Sequence, residues 1–136
     1  MTNILSPTTN SDQSALNLRK LMHEAGLSER ICVFWNAVPW ALDRRRDPTR
    51  QELARGVVYL KEFLALLSHR RAVVAFGRVA QGACLQARVT AINVPSPSPL
   101  AVAKPGPRPN AKSARWIEIR EGLRQAGAHC EPVEGI

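Results

Sequence analysis

The sequence predicts an α/β domain, a three-layer α/β/α arrangement in which helices cover both faces of a short parallel sheet. Two observations carry this prediction. Short apolar runs rich in β-branched residues, typical of buried strands, alternate along the chain with longer amphipathic stretches, typical of helices. The chain also has 136 residues, of which 45% are hydrophobic and 22% charged, an ordinary globular mix, so we take residues 1–136 as one domain.

Four stretches have the periodicity of an amphipathic helix. Asp12 can cap the start of the first, and Gly26 suits the position that follows its end. Thr49 and Glu52 match the capping box that begins the second helix. The predicted helices span about residues 12–25, 49–68, 78–87 and 113–126.

Three apolar runs are predicted to be strands, at residues 31–34, 72–76 and 89–93. The loop from Val94 to Asn110 holds most of the ten prolines of the chain, so it cannot be a helix or a central strand. We expect residues 1–12 to be irregular and residues 127–136 to form a frayed tail.

The charge of the chain points to a polyanion as its partner. The formal net charge is +8 and the sequence pI is about 10.5, and the basic residues are mostly arginine, whose planar fork matches phosphate. The alternative is a small protein that is merely basic. The three cysteines are far apart and form neither a disulfide framework nor a metal motif, so we expect no cofactor.

The sequence contains no membrane span and no signal peptide by composition. No run approaches the length of about 18 apolar residues that a span requires, and the N-terminus lacks a basic start and an apolar core. The cytoplasm is therefore the expected location.

The topology places the unusual residues of the sequence together. In parallel sheets, ligands bind beyond the carboxyl ends of the strands. Asn36, Gly77 and the segment 95–100 each follow a predicted strand, so we expect them along one rim.

Four motifs follow one another in an order that resembles the uracil-DNA glycosylases. They are Asn17-Leu18 with Ala25-Gly26-Leu27, Trp35-Asn36-Ala37-Val38-Pro39-Trp40, Val73-Val74-Ala75-Phe76-Gly77-Arg78-Val79-Ala80 and Pro95-Ser96-Pro97-Ser98-Pro99-Leu100. The resemblance covers roughly residues 3 to 126. It implies hydrolysis of the N-glycosidic bond of uracil, or of a related damaged base, in DNA during base-excision repair.

The resemblance places a substrate pocket at Asn36 and Gly77. The amide of Asn36 would read the edge of a flipped uracil, since its two ends can pair with N3–H and O4, whereas cytosine presents the opposite pattern. The alternatives are an Asn36 that satisfies loop backbone groups and a Gly77 that only permits the turn from strand to helix.

The same resemblance assigns the proline-rich loop to catalysis and DNA binding. Ser96 stands where the family has a histidine that stabilises negative charge on the departing uracil. Leu100 stands where the family inserts an apolar wedge into the base stack. Pro97, Ser98 and Pro99 belong to the same DNA-contacting segment, for which a rigid polyproline-like connector is the alternative.

Arg44, Arg45 and Arg46 are predicted phosphate contacts beside the pocket, and a solvated basic loop is the alternative.

One family element has no match in the sequence. The family carries an earlier Gly-rich turn that positions the attacking water and supplies an aromatic that stacks on uracil, and residues 1–10 do not match it. The chain therefore resembles an N-terminally shortened member without the first strand. Because that strand would pair beside the strand ending at Asn36, we expect low stability or self-association through the incomplete sheet.

Three functions remain open from the sequence. The chain is an active uracil-DNA glycosylase-like enzyme, a non-catalytic DNA-binding remnant of the same fold, or a basic α/β protein that binds a nucleotide or a protein partner.

Overall fold

The computed structural model describes residues 13–37, 47–98 and 113–130. In chain order these ranges contain helix α1 (Gln13–Ala25), a short 3₁₀ helix (Glu29–Ile31), α2 (Arg50–Leu66), strand β1 (Val74–Phe76), α3 (Gly77–Gln86), strand β2 (Ile92–Val94) and α4 (Ala114–Cys130). The two strands are parallel, with Val74 opposite Ile92 and Phe76 opposite Val94. The predicted α/β class with a short parallel sheet is confirmed.

Helices cover both faces of this sheet because the side chains of a strand alternate between its faces. Val74 and Phe76 pack against one apolar cluster, and Ala75 belongs to the other. The first cluster joins α1 and α4 to the sheet through Leu18, Leu21, Met22, Val94, Trp116, Ile119 and Leu123. The second joins α2 and α3 to the sheet through Val57, Leu60, Leu64, Ala75, Ala83, Cys84 and Ala87. Three layers result, as predicted.

Helix α4 approaches the sheet closely at Gly122. A Cβ atom at Gly122 would collide with Cγ1 of Val94 and would lie 3.4 Å from Cγ2 of Ile92. The missing side chain therefore sets the short distance between this helix and β2.

The predicted helix ends are confirmed at two places. The Glu52 amide donates to Oγ1 of Thr49 at 3.2 Å, and the Thr49 amide donates to Oε1 of Glu52 at 2.9 Å, which completes the capping box of α2. Gly26 has a φ of +71°, and the amide of Leu27 donates to the carbonyl of Met22 at 2.9 Å. This pattern ends α1 as a Schellman motif.

The prediction of a buried strand at residues 31–34 is wrong. Ile31 ends the 3₁₀ helix, and residues 32–36 form no ladder with any described strand. Ile31 and Val33 are 59% and 61% exposed. An apolar run of β-branched and aromatic residues indicates a tendency toward extended backbone, but a strand also requires a neighbouring backbone to pair with.

The other two strands are shorter or later than predicted. The strand predicted at 72–76 begins at Val74, and the one predicted at 89–93 covers Ile92–Val94. Val89 instead completes the end of α3, because its amide donates to the carbonyl of Cys84 at 2.9 Å while Arg88 takes a φ of 58°.

The prediction of a frayed tail is wrong for residues 127–130. Helix α4 continues past its predicted end to Cys130, and the site of a Gly127 Cβ lies 3.6 Å from Cδ1 of Leu27. Packing against the end of α1 stabilises this last turn, which sequence periodicity alone does not show.

No helix in the described ranges is both long enough and apolar enough to cross a bilayer.

Candidate functional site

Two segments leave the sheet side by side at its carboxyl edge. Gly77 follows β1, and residues 95–98 follow β2. Because Phe76 and Val94 are paired in register, both segments begin at the same level. The position of a Gly77 Cβ is 3.4 Å from Cβ of Ser96. The structure therefore brings together two of the residues that the sequence places on one rim.

Gly77 is required by the turn itself. Its φ of +84° lies in the region that favours glycine, and it connects the last residue of β1 directly to α3. A Cβ atom at Gly77 would be in van der Waals contact with Ser96, so the strain of a side chain there comes from the backbone angle. The alternative interpretation of Gly77, as a residue that permits the turn from strand to helix, therefore has direct structural support.

Asn17 of α1 anchors the loop after β2. The side chain of Asn17 is buried, and its Nδ2 donates to the carbonyl oxygen of Pro97 at 2.9 Å across 80 residues of sequence. The oxygen of the same amide is also bonded, because Gln13 Nε2 donates to Asn17 Oδ1 at 2.9 Å. The sequence alone assigns no role to Asn17. The signal was a polar residue beside the buried stripe of an amphipathic helix.

Two further hydrogen bonds hold the start of this loop. Gln81 Nε2 on α3 donates to the carbonyl oxygen of Val94 at 2.9 Å, a contact that the sequence did not indicate. The Ser98 amide donates to Oγ of Ser96 at 3.2 Å. The Ser96 hydroxyl uses a lone pair in this bond, so its own hydrogen remains available to a ligand.

The N-terminal end of α3 lies beside Ser96. Phe76 occupies the cap position and provides no side-chain hydrogen bond to the first turn. The amides of a first helical turn have no partner within the helix, and they carry the positive end of its dipole. This end of the rim is therefore suited to a negatively charged group.

Asn36 is exposed at the end of the extended segment 32–36. Within the described ranges its amide makes no hydrogen bond, and it does not bond to Gly77 or Ser96. Phe34 packs against the first cluster and Ala37 against the second, so the segment runs beside the sheet between the two helical layers. The adjacent Trp35 ring stacks on Phe63 of α2, with centroids 4.3 Å apart and planes 13° apart.

The remaining predicted contacts lie outside the described residues. They are Pro99 and Leu100 of the loop and Arg44, Arg45 and Arg46. Of the predicted loop residues, Ser96, Pro97 and Ser98 are described, and all three are partly buried.

Two of the three described thiols, Cys32 and Cys84, are not disposed to act as nucleophiles. Burial raises the pKa of Cys84. Burial also raises the pKa of Cys32, with smaller contributions from Cys130 and Glu29. Both thiols therefore stay protonated at neutral pH. In the part of the chain that the structure describes, no three His, Cys, Asp or Glu side chains are grouped as metal ligands.

Comparison with known proteins connects this rim to one family. A family model described as the uracil DNA glycosylase superfamily matches residues 10–120. The matched range contains both strands, the first three helices and the start of α4, and includes Asn17, Gly77 and Ser96. Neither a curated protein nor a solved structure gives a match.

Proposed function

Since the chain belongs to the uracil-DNA glycosylase superfamily, we propose that it hydrolyses the N-glycosidic bond of uracil, or of a related damaged base, in DNA for base-excision repair. Membership carries a glycosylase-like function and interaction with DNA at the level of the family. The observation that carries the more specific proposal is the loop after β2, which Asn17 ties down beside Gly77 at the carboxyl edge of the sheet.

In the proposed reaction, water attacks C1′ of the deoxyribose and the bond from C1′ to the base nitrogen breaks. The water leaves a hydroxyl on C1′ and loses a proton to solvent, and the departed base takes up a proton from solvent. The bonding electrons leave with the uracil, so a negative charge develops on its ring. The Ser96 hydroxyl donates a hydrogen bond to this charge. Its orientation is supported by the bond it accepts from the Ser98 amide. The positive end of α3 acts on the same charge.

Asn36 selects the base in this proposal. Its side chain is exposed and makes no hydrogen bond within the described ranges, so its donor and acceptor are free to pair with O4 and N3–H of uracil. Cytosine presents the opposite pattern, so an Asn36 amide held in this orientation would set a donor against a donor and disfavour it.

The remaining contacts hold the DNA. Pro97, Ser98 and Pro99 form the lip that meets the backbone, and Leu100 fills the space that the flipped base leaves. The arginines at 44–46 contact phosphates beside the pocket, which would make binding strongly dependent on salt.

The direct test is formation of abasic sites in uracil-containing DNA, single- and double-stranded, with protein in excess. We expect product from uracil and none from matched cytosine DNA. Asn36→Ala and Ser96→Ala should each lower the rate, Ser96→Ala by about 10²–10³-fold if its hydroxyl is the charge-stabilising donor. Ser68→Ala, an exposed serine beyond α2, is the matched control. Absence of product from wild-type protein in excess would rule out the enzymatic proposal.

The second candidate function is a DNA-binding protein of the same fold without catalysis. The observation that favours it is Ser96 itself, because a hydroxyl is a weaker donor than the histidine that the resemblance places there. This function predicts affinity that falls as salt rises, no abasic product, and weaker binding in Asn17→Ala, which releases the loop. Titration of labelled DNA at several salt concentrations distinguishes it from a chain that does not bind DNA.

A further inference from the structure

The segment of residues 32–36 is extended but pairs with no described strand, and it continues from Ile31, the last residue of the 3₁₀ helix. Its burial alternates, since Cys32 and Phe34 pack against the first cluster, while Ile31, Val33 and Trp35 are 59%, 61% and 41% exposed. Cys32 has β-region angles, with φ −112° and ψ 146°. This alternation is the pattern of a strand with one face on a core.

The backbone of this segment is also open. The Cys32 amide donates to the Glu29 carbonyl at 3.1 Å, but within the described ranges the amides of Val33, Phe34 and Trp35 have no hydrogen-bond acceptor. An extended segment with a row of unpaired amides is a template for another strand.

The side chains do not protect this edge from pairing. Exposed edges are normally blunted by charged residues or proline, yet residues 31–37 contain neither. The apolar surface continues onto α2, because Trp35 stacks on Phe63 and Tyr59 and Leu66, exposed by 47% and 82%, lie at helical spacing on the same side. A patch of this kind marks an interaction surface.

We propose that residues 31–36 pair antiparallel with the same segment of a second copy, across a two-fold axis at Val33. In this register Val33 faces Val33 of the other copy, and Ile31 faces Trp35 in both directions. A shift by one residue would set exposed side chains against those that pack on the core, so the register must keep odd positions together. All three cross-strand pairs on the exposed face are then apolar.

The charges that flank the segment favour antiparallel over parallel pairing of two copies. Arg30 of one copy lies opposite Asn36 of the other, so no like charges meet. A parallel arrangement would place Arg30 beside Arg30 and Glu29 beside Glu29, which is unfavourable. The net charge of +8 opposes association at long range, and salt screens that repulsion. We therefore expect salt to strengthen the dimer, whereas it weakens DNA binding.

The test is sedimentation velocity of the full chain without DNA, over a range of protein and salt concentrations. We expect a species of twice the monomer mass that grows with concentration and with salt. Val33→Lys places two ammonium groups face to face and should abolish it. Leu85→Lys, at an apolar residue on α3 that is 79% exposed, is the matched control and should leave it unchanged.

Hydrogen exchange of the wild-type chain gives a second readout that needs no variant. The amides of residues 33–35 should exchange rapidly in dilute protein and become protected as the dimer forms. A chain that stays monomeric at high concentration and salt would overturn the proposal. So would a dimer that survives Val33→Lys, or protection of residues 33–35 that is already present in dilute monomer. Both measurements are made without DNA and abasic-site formation is assayed separately, so failure of the dimer and failure of the glycosylase proposal are distinguishable.

Discussion

Replacing Asn17 by Asp tests whether one buried amide holds the loop in place. The two side chains have nearly the same shape, but Asp puts an oxygen where Nδ2 donates to Pro97 at 2.9 Å. The variant loses that hydrogen bond, leaves the Pro97 carbonyl without its donor, and buries a carboxylate at a site only 6% exposed. We expect the free energy of unfolding to fall by about 2–4 kcal/mol at neutral pH.

The pH dependence of this variant separates the lost donor from a general packing defect. Burial beside a carbonyl oxygen raises the pKa of the new carboxyl in the folded state. The loss of stability relative to wild type is therefore complete above the folded pKa. It shrinks as pH falls toward the unfolded value, because a protonated carboxyl can again donate to Pro97.

The assay is urea unfolding of both proteins, followed by tryptophan fluorescence across the acidic range. Gln13→Ala removes only the exposed partner of Asn17 and should cost about 0.5–1.5 kcal/mol at any pH. Equal stability of Asn17→Asp and wild type, or a difference that does not narrow in acid, would refute the anchoring role of Asn17. Abasic-site formation should fall with the loss of the anchor.

Three further predictions follow from backbone angles and burial. Gly77→Ala should lower the free energy of unfolding by about 1–2 kcal/mol, because Gly77 has a φ of +84°. In the control variant Gly82→Ala, the added Cβ would meet only Leu53 at 3.8 Å. Urea unfolding should show a free energy of unfolding about 0.5–1 kcal/mol higher in this control. Arg88→Gly should raise the free energy of unfolding by about 0.5–1 kcal/mol, because Arg88 has a φ of 58°. An equal gain in Arg88→Ala would contradict this cause. Burial raises the pKa of the Cys84 thiol above its ordinary value of 9.0. As pH rises past 9.0, the thiol therefore ionises first in the unfolded state. The free energy of unfolding should then fall more in wild type than in Cys84→Ala.

The sequence predicted those parts of the fold whose causes are local. The capping box at Thr49 and the left-handed glycine at Gly26 each act within one turn of helix, and both are present. The meeting of Gly77 with Ser96 was also predictable, because parallel strands deliver their next residues to the same edge.

The features that the sequence did not reveal depend on distant partners. The run 31–34 has the composition of a strand, but no described backbone pairs with it. The last turn of α4 is stabilised by Leu27, which lies about a hundred residues earlier in the chain. The role of Asn17 required knowledge of a carbonyl 80 residues away. Local periodicity contains no information on any of these contacts.

The division of the core into two clusters has a consequence for the order of folding. The second cluster is built from α2, β1 and α3, which are neighbours in the chain, whereas the first requires α1 to meet α4 across most of the sequence. Closing that long loop costs more entropy, so the central unit of α2, β1 and α3 should form early, and the terminal helices should dock late and open first. Because Asn17 belongs to α1, each such opening would also break its hydrogen bond to Pro97 and release the loop that follows β2.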